Sequence, residues 1–377
     1  MNIALQEIET GFRGENCFVH ARGGISPDRK DVIITTQPLR LSGSDIFYGL
    51  HMLRSRDGGQ TWSSIVKQPE LSRQPYGDDA ELVMCDATPA WHVAGGKFLL
   101  TGHCAVYKND ELYPNPRPRF SMYSVFDVAT GKWSMPRKLE MPEGYFCCGA
   151  GCTQRVDLEN GEILLPVYFM SREEAKDPWK HSYHSAVVRC SFDGNTMTVL
   201  EIGNALSCPV PRGFCEPSLA RIGNDYYLTL RNDDKGYVSR SRDGLHFDQP
   251  REWLFDNGSE LGNYCTQQHW ITAGERLFLV YTRRGADNDH VFRHRAPLFI
   301  AEVDREKLCI IRATEQIAVP ERGARLGNFG CVHVDEHESW VIVSEWMQTT
   351  PPNSRDWRKC MSYGSNNAIF IARIRFN

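Results

Sequence analysis

Residues 55–62 read SRDGGQTW, and residues 241–247 read SRDGLHF. Both place a serine two residues before an aspartate, follow the aspartate with glycine and close on an aromatic residue. Such residues build a turn. The aspartate side chain accepts from backbone amides just ahead of it, glycine takes a left-handed backbone at no steric cost, and the aromatic ring packs back on a strand. FDVATGKW (126–133) and SFDGNTM (191–197) echo the pattern weakly. A turn written more than once points to an internal repeat.

Working outward from these turns, short apolar runs recur: DVIITTQ (31–37), KFLLTGH (97–103), EILLPVY (162–168), YYLTLR (226–231), LFLVYTR (277–283) and WVIVSEW (340–346). A strand-like segment precedes each run, from NCFVHARG (16–23) to NFGCVHV (328–334), and another follows, from YGLHMLRS (48–55) to AIFIARIR (368–375). The first five units add a fourth segment, such as LEI (200–202) or TEQIAV (314–319). Apolar residues alternate in most runs, and no helical period is sustained. The expected fold is therefore all-β: a six-bladed β-propeller with four-stranded antiparallel blades, formed by residues 1–377 as a single domain. The sixth unit ends without a fourth strand, and MNIALQEIETG at the start resembles one. We expect the N-terminal strand to close the ring, leaving no long free edge.

Of the 377 residues, 41% are hydrophobic, 11% aromatic and 24% charged, and the net charge is −4. Basic residues are scattered, so neither nucleic acid nor an anionic membrane is an expected partner. The start has no signal-peptide pattern, and the 13 cysteines are an odd number without a CxxC pair, which reads as reduced thiols in a cytoplasmic protein. Cys147, Cys148 and Cys152 match no familiar zinc spacing and read as small core residues. No cofactor or metal ligand is assigned, although carboxylates and carbonyls on the axis offer a place for a divalent cation. Oligomeric state stays open.

SRDGGQTW resembles the Asp-box, or bacterial neuraminidase repeat, of the sialidase superfamily, whose members are six-bladed propellers. The resemblance extends over the whole chain through the repeat register. In that register the turns lie on one face, with Asp57 and Asp243 holding structure. Strand alternation brings Asp45, Asp86, His103, Arg119, Tyr168, His184, Glu216, Arg231, Gln267, His269, Arg283, Arg293, Arg295, Asn328 and Glu345 to the other. Loops that converge on a propeller axis are where ligands bind.

Matched residue by residue, Glu216 in FCEPSLARI and Arg231 in YLTLRND resemble the family's glutamate and a carboxylate-binding arginine. Arg295 resembles a second such arginine, Asp45 the acid/base aspartate, and Arg40 an arginine beside it. Two pieces differ. Where the family opens its first blade with an arginine, this chain has Glu15 or Asn16, and where the family places a tyrosine nucleophile, it has Asn328 and Phe329.

Three functions follow as expectations. The first is a glycoside hydrolase acting on a terminal acidic sugar, with Arg231, Arg283 and Arg295 on the carboxylate, Asp45 and Glu216 as the carboxylate pair and Tyr264 as a displaced nucleophile. Arg40, Arg119, His269, Arg293 and Glu345 complete the substrate-binding set. The second is a lyase that cleaves a uronic-acid linkage by β-elimination with His103, His184, Tyr168 and Arg231. The third is a glycan-binding propeller without turnover. All three take a carbohydrate as partner.

Overall fold

The computed structural model describes residues 1–41, 45–176 and 182–376. Its strands pair into six sheets. The first holds Asn16–Ile25, Val32–Arg40, His51–Ser55 and Val66–Lys67 in that order, and the fourth holds Cys215–Ile222, Asp225–Arg231, Gly236–Ser241 and Arg251–Glu252. The second, third and fifth repeat this antiparallel meander around Lys97–Lys108, Ile163–Met170 and Arg276–Tyr281, with short extra strands. In the sixth, Gly330–His333, Glu338–Ser344 and Ile369–Arg375 are completed by Asn2–Ile8, whose partner runs antiparallel from Arg375 to Ile369. The N-terminal strand thus closes the ring.

A propeller needs apolar contact between neighbouring sheets more than within any one of them. The buried side chains obey this. Ile33 and Leu50 pack with Phe98 and Phe126 between the first two sheets, and Leu99 with Leu165 and Val188 between the next pair. Leu164 meets Leu228, Tyr227 meets Trp270, and Phe278 meets Phe370 further round, while Ile34 and Trp340 join the sixth sheet to the first. The core is therefore a ring of shared layers. No helical period was expected, and one α-helix, Trp357–Ser362, interrupts the last hairpin under the cap of Asp356.

The innermost strands depart from regular β structure in a repeated way. His20, Asp86, Cys152, Glu216 and Cys265 all have left-handed φ, from 48° to 58°. Pairing registers slip beside His20, Asp86 and Glu216. Each slip is a bulge that bends the strand and re-aims a side chain, at the cost of local strain. In the third sheet the expected strand over 152–158 shrinks to Val156–Asp157.

The two repeated turns are built alike. Asp57 Oδ1 accepts from the amides of Gln60 and Thr61 at 3.0 and 2.9 Å, and Asp243 Oδ1 accepts from Leu245 and His246 at 2.8 and 2.7 Å. Asp127, Asp193 and Asp304 receive amides at the same turn of other sheets. The bond from Thr61 is the main cause that brings Asp57 down to about 2. At Asp243 burial opposes ionisation, but the amides of His246 and Leu245 outweigh it and hold the carboxyl well below its ordinary range. A carboxylate lowered on folding stabilises above its unfolded pKa of about 4, and loses that effect as pH falls through the folded value. Asp243→Ala is therefore expected to lower unfolding free energy by about 1–2 kcal/mol at neutral pH. Urea titrations should show the difference from wild type shrinking in strong acid.

Candidate functional site

A cleft of about 280 Å³ opens on the axis at the face opposite the turns. Of the residues expected there, Asp45, His103, Arg119, Tyr168, Glu216, Arg231, Arg293 and Arg295 line it, as do Asp86 and Asn328. The bulged positions His20, Asp86 and Glu216 all point into it.

Arginines dominate one wall. Arg231 pairs with Glu216 through Nη1 and donates to Asp233 at 3.1 Å. Arg295 and Arg325 are each 4% exposed, and among the described residues neither has a carboxylate partner. Their bonds go to Asn328, to the carbonyl of Cys265 and to Gln348. The Arg325 guanidinium is stacked 3.9 Å from the Trp346 ring centre. Burial, then the neighbouring charge of Arg231, brings Arg295 down to about 10. Burial, then Arg295 and Arg293, pushes Arg325 well below its ordinary value. Cations so placed disfavour one another's charge.

The other wall carries proton-transfer groups. Tyr168 Oη lies 3.2 Å from His103 Nδ1, and His103 Nε2 lies 3.3 Å from Asp86 Oδ2. His20 Nδ1 and Cys152 Sγ approach Asp86 Oδ1, each at 3.0 Å. Buried Arg22 reaches across the axis to Cys152 Sγ at 3.1 Å and Gln267 Oε1 at 2.9 Å. Burial opposes ionisation of Asp86, but the charge and bonding of His20 and His103 hold its carboxyl well below the carboxylate range. Burial drives His103 down and Tyr168 up, with Arg119 partly offsetting the latter. Arg119 lies against the Tyr168 and Tyr183 rings, 5.4 Å from each centre.

Several expected site residues lie elsewhere, most of them because long charged side chains at strand ends find partners across loops. Arg283 is held in a fork by Glu315 at 2.9 and 2.8 Å, so it is not the third carboxylate-binding arginine. Arg40 pairs with Asp110 and Glu111, and His184 with Glu174 at 2.8 Å. Glu345 receives Arg322 and the amides of Asn366 and Ala368. His269 is buried against Ser218 Oγ at 2.7 Å, and burial brings it down to about 3. Tyr264 bonds His294 outside the lining. Glu15 and Asn16 do not line the cleft; the first sheet contributes His20. Cys147 and Cys148 border apolar clusters, whereas Cys152 faces Asp86.

His20 and Arg325 were missed. His20 sits inside an apolar alternation whose phase the bulge shifts, and Arg325 lies outside the strands, in an isolated bridge to Trp346. Only the recurrence of a residue one step before a small one, as in His20-Ala21, Asp86-Ala87 and Glu216-Pro217, hinted at the first.

Neither a protein-family model nor a curated protein matches the sequence. Solved structures do. A Dyadobacter fermentans protein of unknown function superposes with TM-score 0.66 at 15% identity, covering 99% of both chains. The Hadza microbial sialidase Hz136 gives 0.63 at 10% identity over 96% of this chain and 66% of its own. Trypanosoma rangeli sialidase gives 0.62 at 13% identity, over 98% of this chain and 59% of its own. The chain thus has the sialidase-like propeller fold and spans about two thirds and three fifths of these two sialidases.

Proposed function

We propose that the protein is a carbohydrate-active enzyme that cleaves the glycosidic bond of a terminal, carboxylate-bearing sugar. One observation carries this reading: Arg295 and Arg325 lie buried in the cleft beside Arg231, with no carboxylate partner of their own among the described residues. Guanidinium forks match a carboxylate, and one bound among them offsets the charge these residues impose on one another. In the same reading the six sheets are the six blades of one domain, the serine–aspartate turns are Asp-boxes, and the enzyme works in the cytoplasm.

Hydrolysis then runs through Tyr168. Its proton passes to Glu216, its oxygen bonds the anomeric carbon, and Asp45 protonates the departing glycosidic oxygen. Water displaces the tyrosine while Asp45 takes the water's proton and Glu216 returns the first. Tyr168 thereby supplies the hydroxyl that Asn328 and Phe329 cannot. A second reading, β-elimination from a uronic acid, is favoured by the Tyr168–His103 contact. There Tyr168 passes its phenolic proton to His103 Nδ1, takes the proton beside the carboxylate and hands it to the glycosidic oxygen, which leaves as the double bond forms.

Sialosides and uronate-containing oligosaccharides should be incubated with the protein while new sugar ends and the ultraviolet absorbance of an unsaturated uronate are followed. Sugar release without absorbance is the expected result, both signals together would transfer the assignment to elimination, and neither would sink the enzyme reading. Arg325→Met should weaken binding of the free acidic sugar by about tenfold or more, since a charge-assisted bond contributes about 1.5–3 kcal/mol. It should also raise the melting temperature by removing a buried cation without a counter-charge. Calorimetric titration and thermal melts read the two effects separately.

A further inference from the structure

The groups around Asp86 share a property that proton transfer does not require. Cys85 Sγ, an Asp86 oxygen and a His103 ring nitrogen lie within 4.8 Å of one another. His20 Nδ1 comes to 3.0 Å from Asp86 Oδ1, and its Nε2 has no hydrogen-bond partner among the described residues, although the residue is only 3% exposed. Cys152 Sγ sits 3.0 Å from the same oxygen. Imidazole, thiol and carboxylate therefore crowd one small volume, and among the described residues His20 Nε2 has no partner there.

We propose that Cys85, Asp86 and His103 bind a zinc ion at the inner end of the cleft, with His20 and Cys152 at its border. Mixed sulfur, nitrogen and oxygen donors suit a borderline-soft divalent ion, and a site with three protein donors leaves a coordination position open. Cys85, Asp86 and His103 all line the cleft, so that position faces it. The remaining ring nitrogen of His103 is already oriented by Tyr168 Oη at 3.2 Å, the kind of outer partner that fixes the tautomer of a ligating histidine. The ion's two charges offset those of the thiolate and the carboxylate, and Arg22, bonded to Cys152 Sγ and 3.9 Å from Asp86 Oδ1, holds the border of the site. The binding step is an exchange: Cys85 loses its proton to solvent as the sulfur–zinc bond forms.

The test uses the whole chain, stripped with chelator and titrated with zinc, with bound metal counted by elemental analysis. One equivalent is expected, and cobalt in its place should give the visible bands of a tetrahedral ion with sulfur-to-metal charge transfer. Cys85→Ser should weaken the site by at least tenfold and abolish the charge-transfer band. Cys147→Ser, outside the donor set, should change neither. No bound equivalent in wild type, or zinc binding equally sensitive to both substitutions, would overturn the proposal. Because both readouts are independent of turnover, an inactive enzyme that still binds zinc would discredit the hydrolase reading alone.

Discussion

Replacing Arg231 with alanine is expected to lower stability by about 3–5 kcal/mol as well as remove turnover. The arginine is 5% exposed and joined to Glu216, whose side chain is 13% exposed. Deleting the cation leaves that carboxylate buried beside Asp233, with its partner gone. A variant designed only to probe substrate binding would then report mostly on folding. The double variant Arg231→Met/Glu216→Gln separates the two, because it removes the orphaned charge together with the pair. It should recover most of the lost stability in urea titrations while remaining inactive. An Arg231→Ala protein as stable as wild type would show that the pair contributes little, and one that still turned over would remove Arg231 from the clamp.

Tyr168→Phe is expected to lower kcat by about 10²–10⁴-fold with little change in KM. The ring stays in place between His103 and the guanidinium of Arg119, and only the hydroxyl is lost. Stability should change little, since the hydroxyl's one bond among the described residues, to His103, is long. Steady-state kinetics on the substrate identified above, with a thermal melt as control, gives the answer. Full activity in the phenylalanine variant would exclude Tyr168 as nucleophile and as base at once. A loss confined to KM would instead make it a binding residue.

Much of this site was legible before the fold was seen. Glu216, Arg231, Tyr168 and His103 follow from counting strand ends outward from SRDGGQTW, and all four line the cleft. Arg283 was selected by the same counting, but its guanidinium meets Glu315, 32 residues away in sequence. Strand register says which face a residue is on. It does not say whether a loop from another part of the sheet brings a counter-charge to that face.

The repeat, the turn chemistry and the closing of the ring by Asn2–Ile8 are readable along the chain, because each depends on local pattern: alternation, glycine and aspartate at fixed offsets, and one unit a strand short. Which charges meet depends on how the sheets pack. Left-handed residues at His20, Asp86 and Glu216 shift the phase of the innermost strands, and that shift brings a histidine, an aspartate and a glutamate to one axis. Arg325 joins them from outside the strands, through an isolated bridge to Trp346, on whose ring it stacks. Such meetings are set by the packing of six sheets around a common centre, which no single stretch of the chain encodes.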